Sequence, residues 1–168
     1  NILNDCSINI SKIRKELEKI KKALDVIGSS VITENLWGEM WAKLCQNCMG
    51  NPVVAMSNLG TAELAGDEVC RKLQINLARE AAEIGEKLGL DLEKFGGASK
   101  DKWLQSVDKD IYSELDTMIK KRSNGPNRRP SMGQDIHRGR KTEILHMSGH
   151  VLAEARALKI DLPYTKKT

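Results

Sequence analysis

Residues 41–52 read WAKLCQNCMGNP. Set on a helix, Lys43, Asn47 and Asn51 fall at i, i+4 and i+8, so an ammonium and two carboxamides share one stripe. Outward from it, Trp37, Met40, Trp41, Leu44 and Cys48 form an apolar face beside the stripe, and the segment reads as one wall of a helical core with a polar edge. Thr33 or Asn35 opens this helix, with Glu34 and Glu39 near its positive end. Pro52, which has no N–H, is expected to stop or kink it and leave the stripe at a helix terminus. Such a stripe suits an anion or a carbonyl group; the same residues also fit a solvated helix face. Residues 130–143, PSMGQDIHRGRKTE, add the Ser131 hydroxyl and the Glu143 carboxylate as partners for a small polar site.

The rest of the chain reads as helices joined by loops. Ile10, Ile13, Leu17, Ile20, Leu24 and Ile27 recur at helical spacing within residues 8–27, with Ser11 as a cap and Gly28 beyond the end. Residues 29–33 (SSVIT) are β-branched and expected to be extended or a brief strand. Residues 51–65 form a turn-rich passage with a short helix after Pro52. Asp67 caps a strong helix that runs to Leu88, with Val69, Leu73, Leu77, Ala81, Ile84 and Leu88 inward and Gly89 as its stop. Residues 91–102 hold Gly96 and Gly97 and read as a loop. Residues 103–121 are expected to be one helix, with Leu104, Val107, Ile111, Leu115, Met118 and Ile119 on its apolar side. Residues 122–130 (RSNGPNRRP) are the clearest flexible loop. The last helix is expected from Lys141 or Thr142 to Leu158, burying Ile144, Met147, Val151, Leu152 and Ala155, with Asp161, Pro163 and Tyr164 in an extended tail.

At 168 residues the chain is long enough for one domain with a real core. Aromatics are only 4% while helix formers abound, which argues for an all-α domain. The net charge of +4 is too mild to demand nucleic acid. No apolar run approaches the roughly 20 residues that span a bilayer, and no signal-peptide segment opens the chain. The expected setting is soluble and cytoplasmic, which four cysteines in a chain of this length also fit. Because residue 1 is Asn rather than Met, the chain is expected to continue upstream in the native gene product.

Three constellations have competing readings. Cys45 and Cys48 form a C-x-x-C, but Cys6 and Cys70 lie too far away to complete a zinc set, and the pair lies inside a helix rather than at an N-terminus after a strand. Two buried thiols are expected, and no metal. His146 and His150 are spaced i, i+4, but HMSGH lacks the Glu of the zinc-protease motif, so a half-exposed pair is expected. Arg128, Arg129, Arg138, Arg140 and Lys141 concentrate positive charge around Ser131. They read equally as a solvated loop or as an attractor for an anionic substrate or a cofactor phosphate.

WAKLCQNCMGNP followed by RPSMGQDIHRGRKTEI resembles the C-terminal domain of the ketopantoate reductase (2-dehydropantoate 2-reductase) family. That family pairs a K-x-x-x-N-x-x-x-N helix with a later S-M-x-Q-D-[IV]-x-x-G-[RK]-x-T-E-I segment. Both motifs occur here in that order, with Gly149 and Pro163 also matched. The resemblance covers about residues 30–168. It implies that residues 1–30 are the tail of an upstream Rossmann domain and its connection. Residues 31–168 are then a helical, substrate-binding C-terminal domain, similar in fold to those of the 6-phosphogluconate dehydrogenase group.

What the resemblance implies chemically is NADPH-dependent reduction of ketopantoate to pantoate, a step in pantothenate biosynthesis. Lys43 would be the general acid at the ketone oxygen, Asn47 and Asn51 would hold the substrate's polar groups, and Ser131 its carboxylate. Glu143 would bind the substrate hydroxyl or orient and balance Lys43. The chain departs from the family at Ser148-Gly149, where Asn-Gly is usual, and so keeps another 2-keto acid open as the substrate. It also contains no strand–G-x-G-x-x-G–helix unit, so the main dinucleotide site would lie in the upstream domain and the chain alone is expected to be inactive. A non-catalytic helical module for dimerisation or partner binding is the alternative from a different class. Homodimer formation is compatible with either reading.

Overall fold

The computed structural model describes the backbone from Ile2 to Thr168 and the side chains from Ile13 onward. Two compact units divide the chain, Asn1–Leu36 and Trp37–Thr168. In the first, helix α1 (Ile2–Leu24) begins upstream of Ser11, which is therefore not its cap; the side chains of Ile10 and Ser11 lie outside those described. Ile13, Ile20 and Leu24 of its apolar stripe are exposed. Asp25 closes the helix end by accepting from the Lys21 ammonium (2.6 Å) and the Ser30 N–H (2.8 Å). Residues 29–33 carry no regular secondary structure and pair with no strand among the described residues.

The second unit is helical. Helix α2 (Leu36–Ser57) is followed by α3 (Thr61–Gly66), α4 (Glu68–Lys87), α5 (Lys100–Leu104), α6 (Lys109–Lys120), α7 (Ser131–His137) and α8 (Ser148–Leu158). Short 3-10 turns occupy Lys121–Asn124, Ile144–His146 and Thr165–Lys167. The core lies between α2 and α4. Trp41, Ala42, Cys45, Cys48 and Met49 of α2 meet Ile75, Ala78, Ala81, Ala82 and Ile84 of α4, with Trp103, Leu115, Ile119 and Val151 closing the sides. Ala78, Ala81 and Ala82 are the small, fully buried residues of this face of α4. Gly85 seats the Trp41 indole, whose Nε1 donates to the Ala81 carbonyl at 2.9 Å; a side chain at Gly85 would overlap the ring. Asp67 caps α4, accepting from the Cys70 N–H at 2.8 Å. Leu77, Ala81 and Ile84 are inward as expected, whereas Val69 (76% exposed) and Leu88 are outward at the helix ends.

Four expectations change. Pro52 neither stops nor terminates α2, which continues to Ser57. Pro52 itself is buried, and the next two residues, Val53 and Val54, join Leu64 and Leu77 in a second apolar cluster whose burial outweighs one missing helical hydrogen bond. Residues 103–121 are two helices rather than one. The Asp108 carboxylate accepts from Asp110 N (2.9 Å) and Ile111 N (3.1 Å), starting α6 anew and leaving Val107 exposed. The last helix starts at Ser148, not at 141 or 142, because Met147 departs from helical geometry (φ −103°, ψ −92°). The C-terminal tail is not simply extended. Buried Glu80 accepts from Tyr164 N (2.9 Å), Thr165 N (2.7 Å) and Thr165 Oγ1 (2.6 Å), which fastens the tail to α4.

Candidate active site

The continuation of α2 past Pro52 puts the whole Lys43–Asn47–Asn51 stripe in the body of a helix, along one wall of a cleft of about 670 Å³. Such a volume falls in the range of small-molecule sites. The opposite wall is the segment 125–131, with Gly125, Pro126, Arg128, Pro130 and Ser131 facing the cleft. Lys43 is exposed and Asn47 and Asn51 are half-buried. No described residue makes an ion pair or a side-chain hydrogen bond with Lys43. At the far end of the stripe, Asn51 Nδ2 lies 3.8 Å from Met147 Sδ.

The segment read as a flexible loop is held in place by its partners. Thr61 N donates to the Arg128 carbonyl (2.8 Å), while Arg128 N donates back to Thr61 Oγ1 (3.0 Å). Asn127 Oδ1 accepts from Ala62 N at 3.0 Å. Gly60 packs so closely on the Asn127 amide that any side chain there would overlap it. Arg129 donates to Asn58 Oδ1 (2.7 Å) and to the Asn58 carbonyl (3.1 Å), so its charge is turned away into this joint. Glu63 completes it: the Asn127 side chain and the Gly60 N–H (2.6 Å) hold its carboxyl below the usual carboxylate range.

Of the candidate site residues, Lys43, Asn47, Asn51 and Ser131 line one cleft. Glu143 does not line it. It is exposed just ahead of the Ile144–His146 turn, and its carbonyl accepts from Met147 N (3.1 Å), the residue whose sulfur touches Asn51. From the basic run only Arg128 reaches the cleft lining; Arg138, Arg140 and Lys141 are exposed elsewhere.

Two lining residues carry a signal that was passed over. Gln74 is 8% exposed on the inward face of α4, a buried polar residue there along with Arg71 and Glu80. Arg122 donates to the Gly96 carbonyl across the chain. That contact lies beside a Gly96–Gly97 turn (φ +57° and +91°) packed against Trp103 and Met118, with no room for a phosphate.

The remaining constellations go elsewhere. Cys45 and Cys48 are fully buried free thiols, as expected. Burial pushes both up, Cys48 to about 12 despite a neighbouring Ser148 hydroxyl, so neither is a thiolate nucleophile at neutral pH. His146 and His150 fall on opposite sides of the Met147 break, and the His150 ring packs 5.7 Å from that of Trp41. Among the described residues no three His, Cys, Asp or Glu side chains gather as a metal site, and no helix is long and apolar enough to cross a membrane.

The chain is 22% identical over 148 residues to the 2-dehydropantoate 2-reductase of Pyrococcus horikoshii, a match that covers 88% of this chain and 43% of that protein. It thus spans less than half the length of that relative. Among solved structures it superposes on 2-dehydropantoate 2-reductase from Geobacter metallireducens GS-15 with a TM-score of 0.70 at 21% identity, covering 91% of this chain and 46% of that one. The TM-score is 0.69 at 18% identity for D-mandelate dehydrogenase solved with NADH and anilino(oxo)acetate, over 90% of this chain and 57% of that one. The family described as Ketopantoate reductase PanE/ApbA C terminal matches residues 35–167, and the chain belongs to it.

Proposed function

We propose that residues 31–168 are the substrate-binding domain of an NADPH-dependent 2-dehydropantoate 2-reductase-like enzyme that reduces ketopantoate to pantoate. Residues 1–30 would link this domain to a dinucleotide-binding domain. The observation that carries the reading is the convergence of Lys43, Asn47, Asn51 and Ser131, from segments far apart in sequence, on one cleft. Family membership supports the reaction class. The described residues include no strand, and their Gly-Gly turn is filled by the chain's own side chains, so they do not fit the cofactor's pyrophosphate; NADPH is assigned to the other domain. The setting proposed is the cytoplasm, and a homodimer is the proposed assembly.

Within that reading, the Lys43 ammonium meets the ketone oxygen. Reduction turns that oxygen into an alkoxide, so an ammonium stabilises the transition state more than the neutral ketone. An ammonium is a weak acid, so the proton moves only once the much stronger alkoxide base is forming. Asn47 and Asn51 hold the substrate's polar groups, and Ser131 donates to its carboxylate. Glu143, exposed and outside the cleft lining, is assigned to bind the substrate hydroxyl or to orient and balance Lys43 in the complete enzyme.

The test uses the longer protein that joins this chain to a dinucleotide-binding domain, following NADPH oxidation with ketopantoate. Lys43→Ala is expected to lower kcat by about 10²–10⁴-fold. Lys43→Met should keep a normal cooperative melt, because the exposed ammonium holds no part of the core. An active Lys43→Ala enzyme would sink the assignment and favour a non-catalytic helical module.

A further inference from the structure

Helix α4 buries three polar side chains, and two of them are satisfied inside the chain. Arg71 is committed to Asp116 (2.6 Å) and to the Ala65 and Gly66 carbonyls, and Glu80 to Tyr164 and Thr165. Gln74 lies between them in the sequence, 8% exposed, and its carboxamide has no hydrogen-bond partner among the described residues. Nor is that carboxamide sealed off: among the described residues, the one fully enclosed side-chain N or O without a partner is Ser148 Oγ. Gln74 lines the cleft together with buried Met49, Ala65 and Ile119, which make an apolar floor. A buried amide without a partner is costly, and an apolar residue would fill the same place without that cost.

The way from the polar stripe to this floor crosses a gap. By helical spacing, Gly50 falls on α2 between the Lys43–Asn47–Asn51 stripe and buried Met49. It also lines the cleft, and a side chain placed there would meet nothing within 4 Å. Glycine inside a helix is unfavourable, and here no packing neighbour requires it.

Resting on the proposed keto-acid reading, we propose that Gln74 is a specificity residue for the far end of the substrate. Its carboxamide hydrogen-bonds an uncharged hydroxyl, and the branched carbon before that hydroxyl passes over Gly50. A carboxamide both donates and accepts, as a hydroxyl does, so the pairing satisfies both groups. Met49, Ala65 and Ile119 suit methyl groups but would strip water from a charged terminus. Arg122, which also lines the cleft, is turned to the Gly96 carbonyl. Ketopantoate fits each part, with its keto acid on the stripe, two methyls over the gap and one terminal hydroxyl at Gln74. Glu143, outside the cleft lining, then keeps the second of its two roles, orienting and balancing Lys43.

The experiment uses the longer protein with its dinucleotide-binding domain. It follows NADPH oxidation with ketopantoate and with trimethylpyruvate, which is the same acid without its hydroxyl. The natural protein is expected to favour ketopantoate by about 10²-fold in kcat/KM, because losing the hydroxyl leaves Gln74 unpaired again. Gln74→Met should bring that ratio within about tenfold and melt no lower than the natural protein, since no hydrogen bond of the fold is lost. Gly50→Ala should melt higher, alanine being the better helix former, and yet lower kcat/KM for ketopantoate. A natural protein that does not discriminate, or a ratio unchanged in Gln74→Met, overturns the proposal and leaves the keto-acid reading standing. So does a Gln74→Met variant that melts lower and loses activity toward both acids alike, which would make Gln74 part of the core. A fully active Gly50→Ala enzyme would take the substrate off this path and overturns it too. No reduction of either acid by the natural protein overturns both readings.

Discussion

The two walls of the cleft are made in different ways. The α2 wall is a by-product of periodicity: once one face of the helix buries Trp41, Cys45, Cys48 and Met49, the stripe beside it must carry Lys43, Asn47 and Asn51 toward the other side. The wall at 125–131 has no periodicity to rely on. Its shape is the sum of hydrogen bonds to Asn58, Thr61, Ala62 and Glu63, few of which are deeply buried. The first wall stands on apolar burial and the second on polar pairing, so they are expected to fail under different perturbations.

Breaking the burial side should have the largest effect. Trp41 is 8% exposed, seats on Gly85 and donates to the Ala81 carbonyl. Trp41→Ala is expected to cost about 3–5 kcal/mol in denaturant unfolding, because both packing and a buried hydrogen bond are lost. A cost below about 1 kcal/mol would show that α2 is not held in place by this face.

A smaller effect comes from alkali. Burial raises the Cys48 thiol from an ordinary 9.0 to about 12. The folded state therefore keeps a proton that the unfolded state loses above pH 9.0, and stability falls with rising pH through that window by about 1.4 kcal/mol per unit at most. Below it the thiol contributes no pH dependence. Thermal melts from pH 8 to 11 should show a steeper decline for the natural chain than for Cys48→Ala, which also removes the smaller push that Cys48 gives the Cys45 thiol. Parallel declines would mean that the thiol is less enclosed than the helix packing implies.

The same contrast explains what could be read from the sequence. The helical wall was legible because its signals are local: spacing for the stripe, Asp67 for the start of α4, Gly89 at its end with φ +77°. Pro52 was misread because a local rule, the missing N–H, lost to the burial of Val53 and Val54 against residues of α3 and α4. The docking of 122–130 was hidden from the sequence for a parallel reason. Gly, Pro and Asn do favour turns, but here they serve a docked segment whose partners lie far away in the chain. The split at Asp108 had a local signal, an Asp ahead of an apolar run, that the apolar pattern on either side concealed. Of the site, four residues were reached through spacing and family resemblance, whereas the inward position of Gln74 only the packing of α4 revealed.

The smallest expected effect bears on the polar wall and runs in the opposite pH direction. Glu63 is held below its ordinary 4.5 by Asn127 and the Gly60 N–H, so it favours the docked segment above that value. That contribution is lost as pH falls below 4.5 and through the lower folded pKa. Amide resonances of Gly60 and Ala62 should then move in acid while those of Ala42 and Cys45 on α2 stay fixed. Glu63→Gln should reproduce the acid spectrum of Gly60 and Ala62 at neutral pH, because the amide keeps the shape and gives up the charge. If the acid shift survives in Glu63→Gln, another carboxylate governs the joint. If α2 moves with it, the two walls are one cooperative element, and the distinction between a wall held by burial and a wall held by polar pairing fails.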